Sequence, residues 1–312
     1  MAKYNSLRRV ASHIINWNPE LWHGAKYRLY RDLLRNPPSA RKFKTQGPVL
    51  NACQSRIVKE LTMRGVAFSS FSELFDNPKR WERLSKAVDS FSSSERVQKG
   101  ISEFESDHRH AGKEYEIKEY PKYSTINLDN IWLQLGVDAI LLDAANSYLG
   151  MWGKLIHVDL WYTVPANEDW AAIASQRWHR DADDERIFKV FLYFSEVDEA
   201  AGALQYIAGS AQGGPYQNRW PKRTVTDAEY PPEEEVEESI PRCDRISCVG
   251  GPGTLVFCDT NGLHRGGFST SRPRILATWS YVTPASLFPR RFSVDWNQGV
   301  DNLSEAARFA LT

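Results

Sequence analysis

Gln176-Arg177-Trp178-His179-Arg180-Asp181-Ala182-Asp183, followed by an apolar run from Phe188 that Lys189 alone interrupts, is the stretch on which the reading of this chain turns. On an extended backbone, side chains at i and i+2 leave the same face, so the His179 imidazole and the Asp181 carboxylate point at one spot. A second imidazole from a distant strand would set two nitrogens and one oxygen on one side of a metal ion. Such a facial set leaves coordination positions open and suits ferrous, non-haem chemistry. His264 is the natural third member, because it follows the strand-like Thr254–Cys258 through a short turn. A second His-x-Asp, His157-Val158-Asp159, lies inside an apolar run rather than at the end of one. Core or pocket wall is the default reading for that pair, and periodicity alone does not exclude it as the ligand pair.

Around this stretch the chain changes period. Upstream, Leu7 to Ile15 repeat at helical spacing and predict an amphipathic opening helix. Trp22 to Leu34 can continue as a second helix, with Pro37-Pro38 closing the unit. Residues 50 to 120 are polar and helix-prone, with one apolar patch at Val66 to Phe75. Val137, Ile140, Leu141, Ala144, Ala145 and Tyr148 form a helical stripe ending near Gly150. Strands are expected at Lys154–Val164, Phe188–Phe194, Ala203–Ile207, Thr254–Cys258 and Ile275–Val282. Short strands with Gly and Pro between them and no interleaved helices predict an antiparallel sandwich or barrel. The long polar insertion 209–252 reads as a lid or an unstructured segment, and its acidic run Glu233–Glu238 as a solvated face.

Composition narrows the classes of function. The 312 residues carry 39 Lys and Arg against 39 Asp and Glu, so no electrostatic case exists for nucleic acid or anionic membrane as partner. The four cysteines contain no CxxC pair, which argues for reduced thiols rather than a zinc site. With no apolar signal core at the N-terminus and no membrane-length apolar run, a soluble cytoplasmic protein is expected. Eleven Trp, 13 Tyr and 14 Phe suit an aromatic pocket for a small molecule. His13, His23, His108 and His110 have no ligand partner at useful spacing and read as solvated or core-edge residues.

A cationic fork near the triad would suit a dicarboxylate co-substrate. Arg274 opens the last predicted strand ten residues beyond His264; Arg272 is its competitor. Gln176 and Thr278 are further candidates for co-substrate contact. Trp161, Trp178, Lys189 and Phe191 are candidate pocket walls, each with ordinary core packing as its alternative. Lys189 interrupts an apolar strand, so it is either on an exposed face or buried against an anionic partner such as a carboxylate.

Taken in order, His179-Arg180-Asp181, Val197-Asp198-Glu199-Ala200-Ala201-Gly202-Ala203-Leu204, Ile207-Ala208-Gly209-Ser210, Gly253–Phe257, His264-Arg265-Gly266-Gly267 and Ser271-Arg272-Pro273-Arg274 resemble the phytanoyl-CoA dioxygenase-like family. The resemblance covers residues 150 to 285, with Ala211 standing where the family often has a histidine. It implies a mainly β fold with flanking helices and a double-stranded β-helix (jelly-roll, cupin-like) core. It further implies iron(II), 2-oxoglutarate and O2 as cofactors and co-substrates, with His179, Asp181 and His264 on iron and Arg274 on 2-oxoglutarate. The expected organisation is a single oxygenase domain over 1–312. Helical entry and support occupy 1–150, the β core with its insertion 151–285, and a tail with a short helix 286–312. The expected activity is hydroxylation of a small metabolite or natural-product intermediate with release of succinate and carbon dioxide. The alternatives are a cupin-like metal-binding isomerase or binding protein without oxygen chemistry, and a member of the fold that has lost catalysis.

Overall fold

Most helices of the first half begin where short polar side chains take up free backbone N–H groups. The computed structural model describes residues 27, 29–106, 114–166, 172, 174–221, 230–297 and 302–312. The helix expected over Leu7–Ile15, the start of the one expected from Trp22, and His13, His23, His108 and His110 all lie outside these residues. A π-helical stretch, Tyr30–Arg35, runs straight into α1 (Asn36–Gln46). Pro37 and Pro38 therefore open a helix instead of closing one, because first-turn positions have no N–H bond to lose. α2 (Ala52–Arg64) starts with a reciprocal cap between Asn51 and Gln54.

The apolar patch at Val66 to Phe75 divides into a strand, β1 (Val66–Ser70), and a short helix, α3 (Phe71–Phe75). Ser70 makes the break, since its side chain accepts from Glu73 N at 3.1 Å and caps α3. There follow α4 (Pro78–Ser92), α5 (Glu95–Ser106), β2 (Glu116–Lys118), β3 (Ser124–Asn127), α6 (Ile131–Gly136) and α7 (Ala139–Leu149). α7 carries the stripe read from the sequence: Leu141, Ala144, Ala145 and Tyr148 are buried, and Gly150 stops the helix at φ 71°.

The second half supplies β4 (Lys154–Thr163), β5 (Ile187–Tyr193), β6 (Leu204–Ile207), α8 (Glu233–Ser239), β7 (Arg245–Cys248), β8 (Thr254–Cys258), β9 (His264–Arg265), β10 (Arg274–Val282), β11 (Phe292–Asp295) and α9 (Glu305–Leu311). The larger sheet has six strands in the order β1-β8-β5-β10-β4-β2, and the smaller has three, β7-β6-β9. β11 pairs in parallel with β3 as a separate ribbon. The two main sheets make the double-stranded β-helix core with helices packed outside it, and they do not close into a barrel. β1 and β2 come from the helical half, so the core sheet is not confined to residues beyond 150.

Register assigns each face of the large sheet a different task. Phe188, Val190 and Leu192 of β5, with Ala277, Trp279 and Tyr281 of β10, face Leu84, Leu133 and Leu141 of the helices. Full burial of a side chain such as Phe188 stabilises the fold by about 2 kcal/mol. The opposite face carries Lys189, Phe191 and Tyr193; Arg274, Leu276, Thr278 and Ser280; and His157, Asp159 and Trp161. That polar face turns toward the small sheet, meeting it through Tyr193, Leu276, Leu204 and Tyr206.

The insertion is ordered over much of its length. Val236, within the acidic run, is fully buried against Trp178, Ile207, Ile240 and Leu263. Glu233 pairs with Arg265 at 2.7 Å, and Glu235 accepts from Trp220 Nε1 at 2.9 Å. The run is thus one helix with an inward apolar residue, and only its other faces meet solvent. Among the described residues no helix is long and apolar enough to cross a membrane.

Candidate metal and co-substrate site

His179 lies in the loop before β5, eight residues short of its first residue, Ile187, and His264 opens β9. They lie side by side because their backbones pair: His179 N donates to His264 O at 2.9 Å, and His264 N donates to His179 O at 2.9 Å. Asp181 N donates to Thr260 O at 2.7 Å, so the loop bearing Asp181 is docked on the turn that leads to His264. Asp259 and Asn261 complete the joint. The buried Asp259 carboxylate accepts from Ile187 N and Asn261 N, and Asn261 Nδ2 donates to Asp184 O.

The residues read from the sequence converge. One ligand atom from each of His179, Asp181 and His264 lies within 4.8 Å of the others. His179 Nε2 is 3.7 Å from Asp181 Oδ1, and His264 Nε2 is 3.9 Å from Asp181 Oδ2. Each imidazole has its Nδ1 against a carbonyl two residues back, Arg177 O at 2.8 Å and Gly262 O at 3.0 Å. A carbonyl only accepts, so Nδ1 carries the proton and Nε2 keeps its lone pair for a cation. Burial, joined by the His179 charge, pushes the His264 imidazole down to about 3. Burial alone would raise the Asp181 carboxyl, but the Lys189 ammonium and the two imidazoles outweigh it and hold it well below the usual range. Two imidazoles and a carboxylate, rigidly presented, fit a divalent iron ion.

Lys189 is buried, and its anionic partner is Asp181, with Nζ 3.0 Å from Oδ2. The exposed-face reading of Lys189 is excluded, and its Nζ also lies 5.6 Å from the centre of the Phe191 ring. Arg274 is buried at 6 % exposure, and among the described residues no carboxylate comes within ion-pair distance of it. Arg272 is different: half-exposed, it is tied to Asp198. Thr278 is fully buried on the same face, and its Oγ1 has no partner. Further partnerless polar atoms on this face belong to His157, Trp161 and Thr163. A row of buried donors and acceptors without protein partners marks a surface shaped for a polar ligand. Gln176 is buried in the 3-10 turn Ala174–Gln176, three residues before His179.

Trp178 departs from its expected place. It packs against Val236, Ile240 and Leu263 beneath the insertion, with the Arg265 guanidinium 4.7 Å from its ring centre. It is core rather than pocket wall, because adjacent residues of an extended segment point opposite ways and His179 points to the metal. Arg180, which the sequence did not single out, is buried between the two ligands. Its Nη1 donates to Ser210 O and Asn261 O at 2.6 and 2.8 Å, and its Nη2 to Tyr216 O and Arg219 O at 3.1 and 3.0 Å. His157 and Asp159, the other His-x-Asp, face each other at 3.7 Å, and no third ligand joins them among the described residues.

A family model described as phytanoyl-CoA dioxygenase (PhyH) matches residues 73–275. Among solved structures the chain is similar to the epimerase SnoN in complex with Fe3+, alpha ketoglutarate and nogalamycin RO. That match has 14% identity and TM-score 0.51, and covers 74% of this chain and 84% of the other. It is also similar to EctD from S. alaskensis with bound Fe, at 18% identity, TM-score 0.50, and coverage of 79% and 84%. Likeness at these identities speaks for the fold. No curated protein matches the sequence.

Proposed function

Because the chain belongs to the phytanoyl-CoA dioxygenase family of iron(II)- and 2-oxoglutarate-dependent oxygenases, we propose that it hydroxylates a small metabolite or natural-product intermediate at the His179, Asp181 and His264 site. The observation that supports this reading most is the convergence of those three donors from two segments, each imidazole with its Nδ1 on a backbone carbonyl and its Nε2 toward Asp181. Iron bound there supplies activation of dioxygen, one oxygen atom ending in succinate and the other in the hydroxylated product, with carbon dioxide released.

The chain's own residues do the positioning. Arg274, a buried guanidinium without a carboxylate, is proposed to take the distal carboxylate of 2-oxoglutarate in a two-pronged hydrogen bond. Thr278 Oγ1, four residues along the same face of β10, and Gln176 are proposed as further co-substrate contacts. Trp161 and Phe191 furnish apolar wall on the same face. Asp181 would hold the metal where a halide would otherwise bind, which favours hydroxylation over halogenation. The four cysteines are free, and we propose a reducing compartment such as the cytoplasm.

Oxygen uptake and succinate release with iron(II) and 2-oxoglutarate test the proposal. Wild type should turn over 2-oxoglutarate slowly without substrate and faster with it, while Asp181→Ala should do neither. Metal-dependent binding without succinate across a broad substrate panel would favour the cupin-like isomerase or binding protein instead.

A further inference from the structure

The second His-x-Asp has a place of its own. His157 and Asp159 are buried, 6 % and 1 % exposed, and line a cavity of about 220 Å³ with Lys118, Lys122, Phe288 and Arg291. The cavity exists because the outer edge of β4 is interrupted. Glu119 N donates to Leu160 O and Arg291 N donates to Ile156 O, each at 2.8 Å. Strand alternation therefore turns the N–H and C=O of the intervening Val158 to the same edge. Among the described residues nothing pairs with them, although Val158 is only 2 % exposed. Buried backbone groups left open are costly unless a ligand or water takes them.

The side chains that line the cavity include three cations, Lys118, Lys122 and Arg291, against one carboxylate, Asp159. Asp159 Oδ1 accepts from Tyr120 N and Leu160 N, and its other oxygen turns to His157, so this carboxylate is already spoken for. Burial first, then Arg291 and Lys189, push the His157 imidazole down to about 4, which leaves it neutral at physiological pH. Lys118 lies 3.3 Å from Glu116 and Arg291 3.2 Å from Asp183. Lys122 is exposed and has no carboxylate partner among the described residues.

No triad residue lines the cavity, and two links run from it toward the triad. Arg291 is held by Asp183, two residues beyond Asp181. Ser280 is the register partner of both His157 and Lys189, and Lys189 reaches Asp181. The geometry points to a substrate subsite: the cavity around His157, Lys122 and Arg291 receives an anionic group, a carboxylate or a phosphate, of the molecule oxidised at the triad. This assignment rests on the oxygenase reading above.

The test uses the full chain with iron(II) and 2-oxoglutarate under nitrogen, titrated calorimetrically with inorganic phosphate, benzoate and uncharged benzamide. One anion should saturate, with benzamide weaker by about tenfold or more, as expected for loss of one charge-assisted hydrogen bond. The tighter of phosphate and benzoate identifies the group. Lys122→Met, at an exposed position that does not burden folding, should weaken that anion about tenfold, and Lys122→Arg should restore it. His157→Phe should do the same by filling the cavity, with 2-oxoglutarate as the control titration. Absence of saturation by either anion, titrations unchanged in both loss variants, or one-for-one displacement of 2-oxoglutarate would overturn the subsite. The titrations need no turnover, so failure of succinate release would count against the oxygenase reading and not against these results.

Discussion

The Lys189 ammonium sits 3.0 Å from Asp181 Oδ2, on the face where both imidazoles also meet that carboxylate. Lys189 and a cation at the triad therefore share one carboxylate. Lys189→Met should destabilise the metal-free protein by about 2 kcal/mol, less than for a fully buried pair because Asp181 keeps some exposure. The same variant should bind iron(II) more tightly, since the competing ammonium is gone. Urea unfolding without metal and a metal titration read the two effects, and an unchanged metal-free stability would mean the pair contributes nothing.

Arg274 and Arg272 should separate cleanly. Arg274→Met removes the buried fork and should raise the KM for 2-oxoglutarate about 30-fold, equivalent to about 2 kcal/mol. Arg272→Met removes a half-exposed surface pair with Asp198 and should leave that KM within twofold. Succinate release against 2-oxoglutarate concentration measures both. Equal effects would show that the two arginines are not distinguished by burial.

Arg180 closes four backbone carbonyls from three segments of chain around the triad. Arg180→Met leaves those acceptors buried and unpaired, and should cost at least about 3 kcal/mol in urea unfolding. Arg180→Lys, with one compact ammonium for four acceptors, should recover only part of the loss. Full recovery by lysine would show that charge, not the fork, matters.

The His157 imidazole is pushed down from 6.5 to about 4, chiefly by burial. Its folded value lies below its unfolded one, so the unfolded chain binds the proton more readily. The stability associated with neutral His157 is complete above pH 6.5 and is lost as pH falls toward 4. Over that window wild type should lose about 3 kcal/mol more than His157→Gln. Urea midpoints at stepped pH for both proteins check this, and parallel curves would refute it.

What was legible in the sequence follows from what leaves a local mark. β4, β8 and β10 show as apolar runs next to Gly or Pro, β5 as an apolar run between charged residues, and His179-x-Asp181 shows because an i, i+2 pair shares a face. β9, two residues long, and β1, cut off by the Ser70 cap, owe their pairing to distant partners and carry no period of their own. Arg180, Asp259 and Asn261 act on backbone groups of remote loops, and nothing in their neighbours' spacing announces that. Trp178 reads as a pocket residue by adjacency to His179, but the alternation of an extended chain sends it the other way. Pro37-Pro38 misleads because proline ends a helix from within and starts one from its first turn with equal ease.

The mutual amide pairing of His179 and His264 has one more consequence. Peptide groups, not a cation, hold the spacing of the two rings, so the emptied and the loaded protein share one scaffold. Scarcity of iron would then silence the molecule without unravelling it, and a dormant pool could be recharged by the ion alone, with no need to refold.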